Sequence, residues 1–295
     1  MIRTILIIFT SFVLGIYLVE TTLYFIDIDS LDGRKEEASK KGLKFDPRRK
    51  IDVVEDLQEE LVDAVLSVRP GFYLSQNGLD IENGNKIFPF GGISKKITVY
   101  CNESGEYAIY PSDRYGFNNP DLAWDKEQIK WLLIGDSFVQ GACVSQGNDI
   151  AGKIRSLTEE PTINLGIGGA GPLIELAILK EYAKFKKPKK VIWVYYEQND
   201  LVNNLALEKE SPLLFKYLQD DFSQDLLNKQ QEIDTALRRF VKNSESKKYS
   251  QIFLLTSIRQ LINFSNDVYI DPLFFQILLK AKNQVELWGG RFYFV

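Results

Sequence analysis

The spacing of apolar positions changes several times along this chain, and each change marks a different kind of element. From Thr4 to Val19 the sequence is uncharged and mostly apolar, and after Glu20 it stays apolar to Ile26. A run of that length, with Arg3 ahead of it and Tyr17, Tyr24 and Phe25 near its end, predicts a short membrane-spanning helix over 1–28. No small-x-small cleavage site follows, so an uncleaved anchor is expected. Arg3 would keep the amino terminus in the cytoplasm and place the rest in the periplasm or outside the cell. Residues 29–50 are dense in charge of both signs and predict a solvated juxtamembrane linker.

"VVEDLQEELVDAVLSV" then has near-helical spacing and predicts a helix over 53–68. From Gly71 to Asn118 short runs such as "KITVYC" and "EYAIY", broken by "NG", "GG" and "SG", predict a small β-rich segment. The helix and this segment form one region, 51–128. The "DRYGFNNPDLAW" stretch at its end offers aromatics and amides for carbohydrate contact, or equally a packed connector.

Four apolar runs follow, at 130–136, 162–166, 190–196 and 291–295, and read as buried strands of a parallel sheet. Between them lie "NDIAGKIRSL", with a cap at Asn148, and "PLIELAILKEYAKF", with Pro172 in its first turn. Alternating strands and helices predict an α/β domain over 129–295 with right-handed crossovers and a helical insertion at about 205–287.

Composition narrows the chemistry. A net charge of -4 spread over both signs gives no basic field for nucleic acid. The chain has no histidine and only two cysteines, Cys101 and Cys143, which removes the common zinc patterns. No metal and no cofactor are expected. Free thiols are the plainer reading of the cysteine pair, and a disulfide is the other.

In an α/β sheet, ligands sit beyond the carboxyl ends of the strands. Three of those ends are loaded, with "GDSFVQG" (135–141), "NLGIGGAGP" (164–172) and "YYEQNDL" (195–201). These blocks, in this order, resemble the SGNH hydrolase (GDSL-type lipase and esterase) superfamily over roughly residues 130–205. The resemblance implies a three-layer, flavodoxin-like fold with Ser137 as the nucleophile. It also implies that the Gly169 N–H and the Asn199 side chain join the Ser137 N–H in an oxyanion hole, with Gly135, Asp136 and Asp200 in support. Glu197 stands where the third block usually has glycine. The family takes its base from a DxxH block after the last strand. With no histidine present, that block is expected beyond Val295, and a protein without the base would be a non-catalytic binding module.

The expected function is hydrolysis of acyl esters, O-acetyl above all, on cell-surface or exported carbohydrate. Polysaccharide O-acyl transfer and non-catalytic glycan binding or assembly are the alternatives. Expected partners are the acylated substrate and, through residues 1–28, the cytoplasmic membrane; no protein partner is indicated. A rival use of "GIGGAG" is the dinucleotide turn GxGxxG, with Gly166, Gly168 and Gly171 around a pyrophosphate and Glu197 on a ribose. It is weakened because that turn normally follows the first strand.

Overall fold

A computed structural model describes residues 2–28, 30–82, 84–197, 200, 204–246 and 270–295. All four expected strands form. They are β6 (Trp131–Ile134), β7 (Thr162–Asn164), β8 (Lys190–Trp193) and β9 (Arg291–Phe294), paired in the order β7-β6-β8-β9. Every pairing is parallel.

This order reverses direction once. The chain leaves β6 for β7 on one side, then returns past β6 to build β8 and β9. Right-handed crossovers then place the helix Ile150–Thr158 on one face, and the helices Pro172–Ile178 and Pro272–Leu287 on the other. The alternation of side chains along β6 agrees. Leu133 packs with Val139, Ala151 and Ile154, whereas Leu132 and Ile134 join the main core with Leu173, Ile277 and Ala281. The helix Ile150–Thr158 is capped by Asp149, whose carboxylate accepts from Gly152 N–H, rather than by Asn148. Pro172 occupies the first turn of its helix as expected.

Ahead of this domain, three short strands, β1 (Ala64–Leu66), β4 (Ile97–Val99) and β5 (Ile109–Pro111), form one sheet. A hairpin pairs β2 (Leu79–Asp80) with β3 (Lys86–Ile87). The helix expected over 53–68 is corrected to Lys50–Glu59. Its last expected turns become β1, because "AVL" supplies a strand that pairs in parallel with β4. The connector reading of residues 113–124 is the one realised. Asp113 is buried there and accepts from Tyr115, Phe117, Asn119 and Trp124, so the polar groups face inward.

At the amino terminus, residues Ile2–Ile28 form a 27-residue helix with Leu6, Ile7, Phe9, Phe12, Leu14 and Leu18 exposed. Against the expected span, no helix is long and apolar enough to cross a membrane among the described residues. The charged linker is helical over Ser30–Lys40, with exposed i,i+4 pairs Glu36–Lys40 and Glu37–Lys41. Cys101 and Cys143 form a disulfide with a Cα–Cα distance of 5.0 Å, which corrects the free-thiol reading. The fold brings together two residues that sequence spacing alone could not pair.

Candidate functional site

β6 and β8 are paired to their last residues, and the connections beyond their carboxyl ends leave for opposite faces of the sheet, which is where α/β folds place a ligand crevice. The chain leaves β6 through Gly135, where a Cβ would stand 2.5 Å from Val139 Cγ2 and 2.8 Å from the Val194 carbonyl. Only glycine permits that approach. Asp136 caps the short helix Ser137–Gln140 by accepting from Phe138 N–H at 2.9 Å. Ser137 is therefore the first helical residue, half-buried, with Oγ 3.5 Å from Asp136 Oδ2. Its N–H lies among the amides that a helix start leaves open.

The glycine loop after β7 packs onto that helix. Gly166 N–H donates to Asn164 Oδ1, and Asn164 Nδ2 donates to the Val139 carbonyl. Gly168 N–H donates to Gln140 Oε1 at 2.6 Å, and Gln140 in turn donates to the Tyr110 hydroxyl. Gly169 follows with φ +76°, a left-handed conformation that glycine adopts without strain. It is half-buried in an otherwise buried stretch. Among the described residues, its N–H meets no acceptor.

Asn199, expected as the third oxyanion donor, lies outside the described residues. The loop's neighbours are placed. Tyr196 meets Phe138 edge to face with ring centroids 5.1 Å apart, which ties the end of β8 to the residue after Ser137. Asn204 Nδ2 donates to the Ala170 carbonyl and ties the same loop to the glycines. The three blocks thus form one rim. Hollows elsewhere, such as one of about 410 Å³ beside Asp80 and Arg239, are lined by none of these residues.

Sequence reasoning named Asp200 but missed two further buried acids under the rim, Glu208 and Glu175. Glu208 accepts from Gly171 N–H at 2.6 Å and from Leu173 N–H at 2.9 Å, so a carboxylate occupies the helix start that follows the glycines. A pyrophosphate would need that place. The glycine loop also follows the edge strand β7 and not a strand at the reversal. Both observations count against the dinucleotide reading.

Glu175 is fully buried in the first turn of that helix, and among the described residues neither of its oxygens has a partner at hydrogen-bond distance, although Trp193 lies close enough to favour its charged form. An acid inside the apolar run "PLIELAI" was the available signal. Burial, followed by the nearby charges of Asp200, Glu208 and Asp136, holds its carboxyl protonated well above the usual range. Asp200 accepts from Tyr196 N–H at 2.8 Å, and burial pushes it up to about 7. Burial likewise lifts Glu208 to about 8, against the pull of its backbone donors.

These shifts fix a sign. An acid whose folded pKa lies above its unfolded value binds its proton more tightly in the folded state. The folded chain then holds more protons between about pH 4 and about pH 8, and stability falls as pH rises through that window. Melting temperature is expected to drop from about pH 5 to about pH 8. Glu175→Gln, which keeps the shape and removes one titration, should flatten that slope. A melting temperature that rises steadily over the window would refute the buried-acid account.

On the open side, the amino-terminal region supplies the wall. The Tyr100 hydroxyl would lie 2.5 Å from a Cβ placed on Gly168, and Arg69 Cδ 3.8 Å from one on Gly169. Comparisons with family models, with curated proteins and with solved structures find no match to this chain.

Proposed function

We propose that this chain carries the nucleophile and oxyanion donors of a serine ester hydrolase of the SGNH type, on a flavodoxin-like three-layer domain. The observation that carries the reading is the pairing of Ser137, at a helix start beyond β6, with the open Gly169 N–H of a loop packed onto the same helix. The strand order β7-β6-β8-β9 supports it, being that of the first four strands of a flavodoxin-like sheet.

In this reading Ser137 Oγ attacks the acyl carbon and the carbonyl oxygen becomes an oxyanion. The N–H groups of Ser137 and Gly169, with the Asn199 amide, receive it, each donor contributing roughly 3 kcal/mol. Collapse expels the alcohol and leaves an acyl-serine, which water hydrolyses. Transfer to a sugar hydroxyl would use the same acyl-serine. The substrate class is O-acyl, chiefly O-acetyl, esters of exported or surface carbohydrate. The exposed apolar residues of the helix Ile2–Ile28 would hold the site against the surface of the cytoplasmic membrane. The Cys101–Cys143 disulfide favours an oxidising compartment outside the cytoplasm.

The proton of Ser137 needs an acceptor, and the 295 residues contain no histidine. General-base help of about 10²- to 10⁴-fold is therefore missing from what these residues supply. The absence of histidine also favours a second reading, non-catalytic glycan binding. The test separates them with p-nitrophenyl acetate, whose leaving group needs no protonation. Ser137→Ala is expected to lower turnover by about tenfold or more, and a fluorophosphonate probe should label Ser137 in the native protein. Equal rates and no label on Ser137 would end the hydrolase reading and leave glycan binding.

A further inference from the structure

Two cations on the wall of this crevice have no role in the reading above. Arg69 lies with its stem against Gly169 and its guanidinium carbon 5.8 Å from the centroid of Phe72. Lys50 Nζ stands 5.9 Å from the centroid of Tyr100, the residue whose hydroxyl abuts Gly168. Arg69 therefore borders Gly169, whose N–H is the proposed oxyanion donor, and Lys50 stands behind it across the ring of Tyr100.

The local sequence gives Lys50 no anion. It is the first residue of the helix Lys50–Glu59, the end at which the helix dipole disfavours a cation. The nearby acids Asp46, Asp52 and Asp56 are engaged by Arg48 and Arg49. Among the described residues, neither Lys50 nor Arg69 forms an ion pair. Glu103 and Asp136 act electrostatically on Tyr100, but no acid offsets the charge of Lys50. Burial, with the like charge of Arg69 second, draws the Lys50 ammonium down to about 8. A half-buried ammonium under the like charge of a guanidinium, with no ion-pair partner among the described residues, is a costly arrangement that a bound anion would relieve.

We propose that Lys50 and Arg69 form an anion subsite beside Gly168 and Gly169, which holds a carboxylate or phosphate of the substrate next to the ester that Ser137 attacks. The position of the ester rests on the hydrolase reading; the anion site stands on its own geometry. Arg69 offers a planar fork for two oxygens, and Lys50 adds a point charge. The substrate class narrows accordingly to acylated acidic glycans, uronate or phosphorylated sugars, in preference to neutral ones.

The experiment is a calorimetric titration of the Ser137→Ala protein with three probes: oligogalacturonate, glucose 6-phosphate and a neutral oligoglucan. One anionic probe should bind and the neutral one should not, which separates carboxylate from phosphate. Lys50→Met and Arg69→Gln, each checked for an unchanged circular dichroism spectrum, should each weaken binding by about tenfold or more, and Lys50→Arg should recover part of it. Failure of both anions to bind, or binding unaffected by either variant, would overturn the subsite. A kinetic arm uses the protein with Ser137 intact. There the preference in kcat/KM for acetylated galacturonate over acetylated glucose should fall by about tenfold in both variants. Absent turnover on every ester, combined with anion binding that depends on Lys50 and Arg69, would refute the hydrolase and uphold the subsite.

Discussion

Asp113→Ala is expected to destabilise the protein by about 4 kcal/mol or more. Asp113 is fully buried, and its Oδ1 accepts from the N–H groups of Tyr115 at 2.8 Å and Phe117 at 2.9 Å. Its Oδ2 accepts from Asn119 Nδ2 at 2.8 Å and Trp124 Nε1 at 2.7 Å. Alanine would strand four donors in a place without water, and each stranded donor costs roughly 1–3 kcal/mol. The damage would reach the crevice, because Asn119 also donates to the Asn164 carbonyl and accepts from Asn164 N–H, just ahead of the glycine loop. Asp113→Asn keeps the shape but turns one acceptor into a donor facing donors, so its loss should fall between wild type and alanine. Urea unfolding followed by tryptophan fluorescence measures all three. A loss under about 1 kcal/mol for alanine would mean that the donors find other acceptors.

Loss of the Cys101–Cys143 disulfide should lower stability by a similar amount, about 4 kcal/mol, since the bond closes a sequence separation of 42 residues. Its position adds a consequence for the proposed site. Cys101 follows β4 and Tyr100, and Cys143 follows the helix that begins at Ser137, so the bond pins the amino-terminal region to that helix. Unfolding with and without dithiothreitol, paired with the Cys101→Ser, Cys143→Ser double variant, gives the magnitude. Thiol alkylation of the unreduced protein that labels both cysteines would refute the bond. Identical urea midpoints for the oxidised and reduced forms would refute its contribution.

The elements that were legible in the sequence share a physical cause. β6, β7 and β8 are short, largely buried apolar runs, and such runs hardly fit another element when flanked by Gly135 and Gly166. β9, last in the strand order, forms as expected but is mostly exposed, which corrects the expectation of a buried strand there. The placement of Ser137 and Gly169 beyond the ends of β6 and β7 was legible for a related reason, since strand position fixes the position of the residues that follow. The helix over 53–68 was overextended because "VDAVLSV" satisfies both periods, and only pairing with Ile97–Val99 in β4 decides for the strand.

The sequence by itself determined the parallel α/β rhythm, the three loaded strand ends and the absence of imidazole, because each depends on residue type and local spacing alone. Tertiary structure decided the rest. The disulfide, the Glu208 carboxyl on the helix start after the glycines, the burial of Glu175 beside Asp200 and Glu208, and the placement of Arg69 against Gly169 and of Lys50 by Tyr100 all join residues far apart in the chain. No local pattern encodes such contacts. They follow from how the amino-terminal region packs against the sheet, and their energies, from burial and from charge at short range, exist only after that packing.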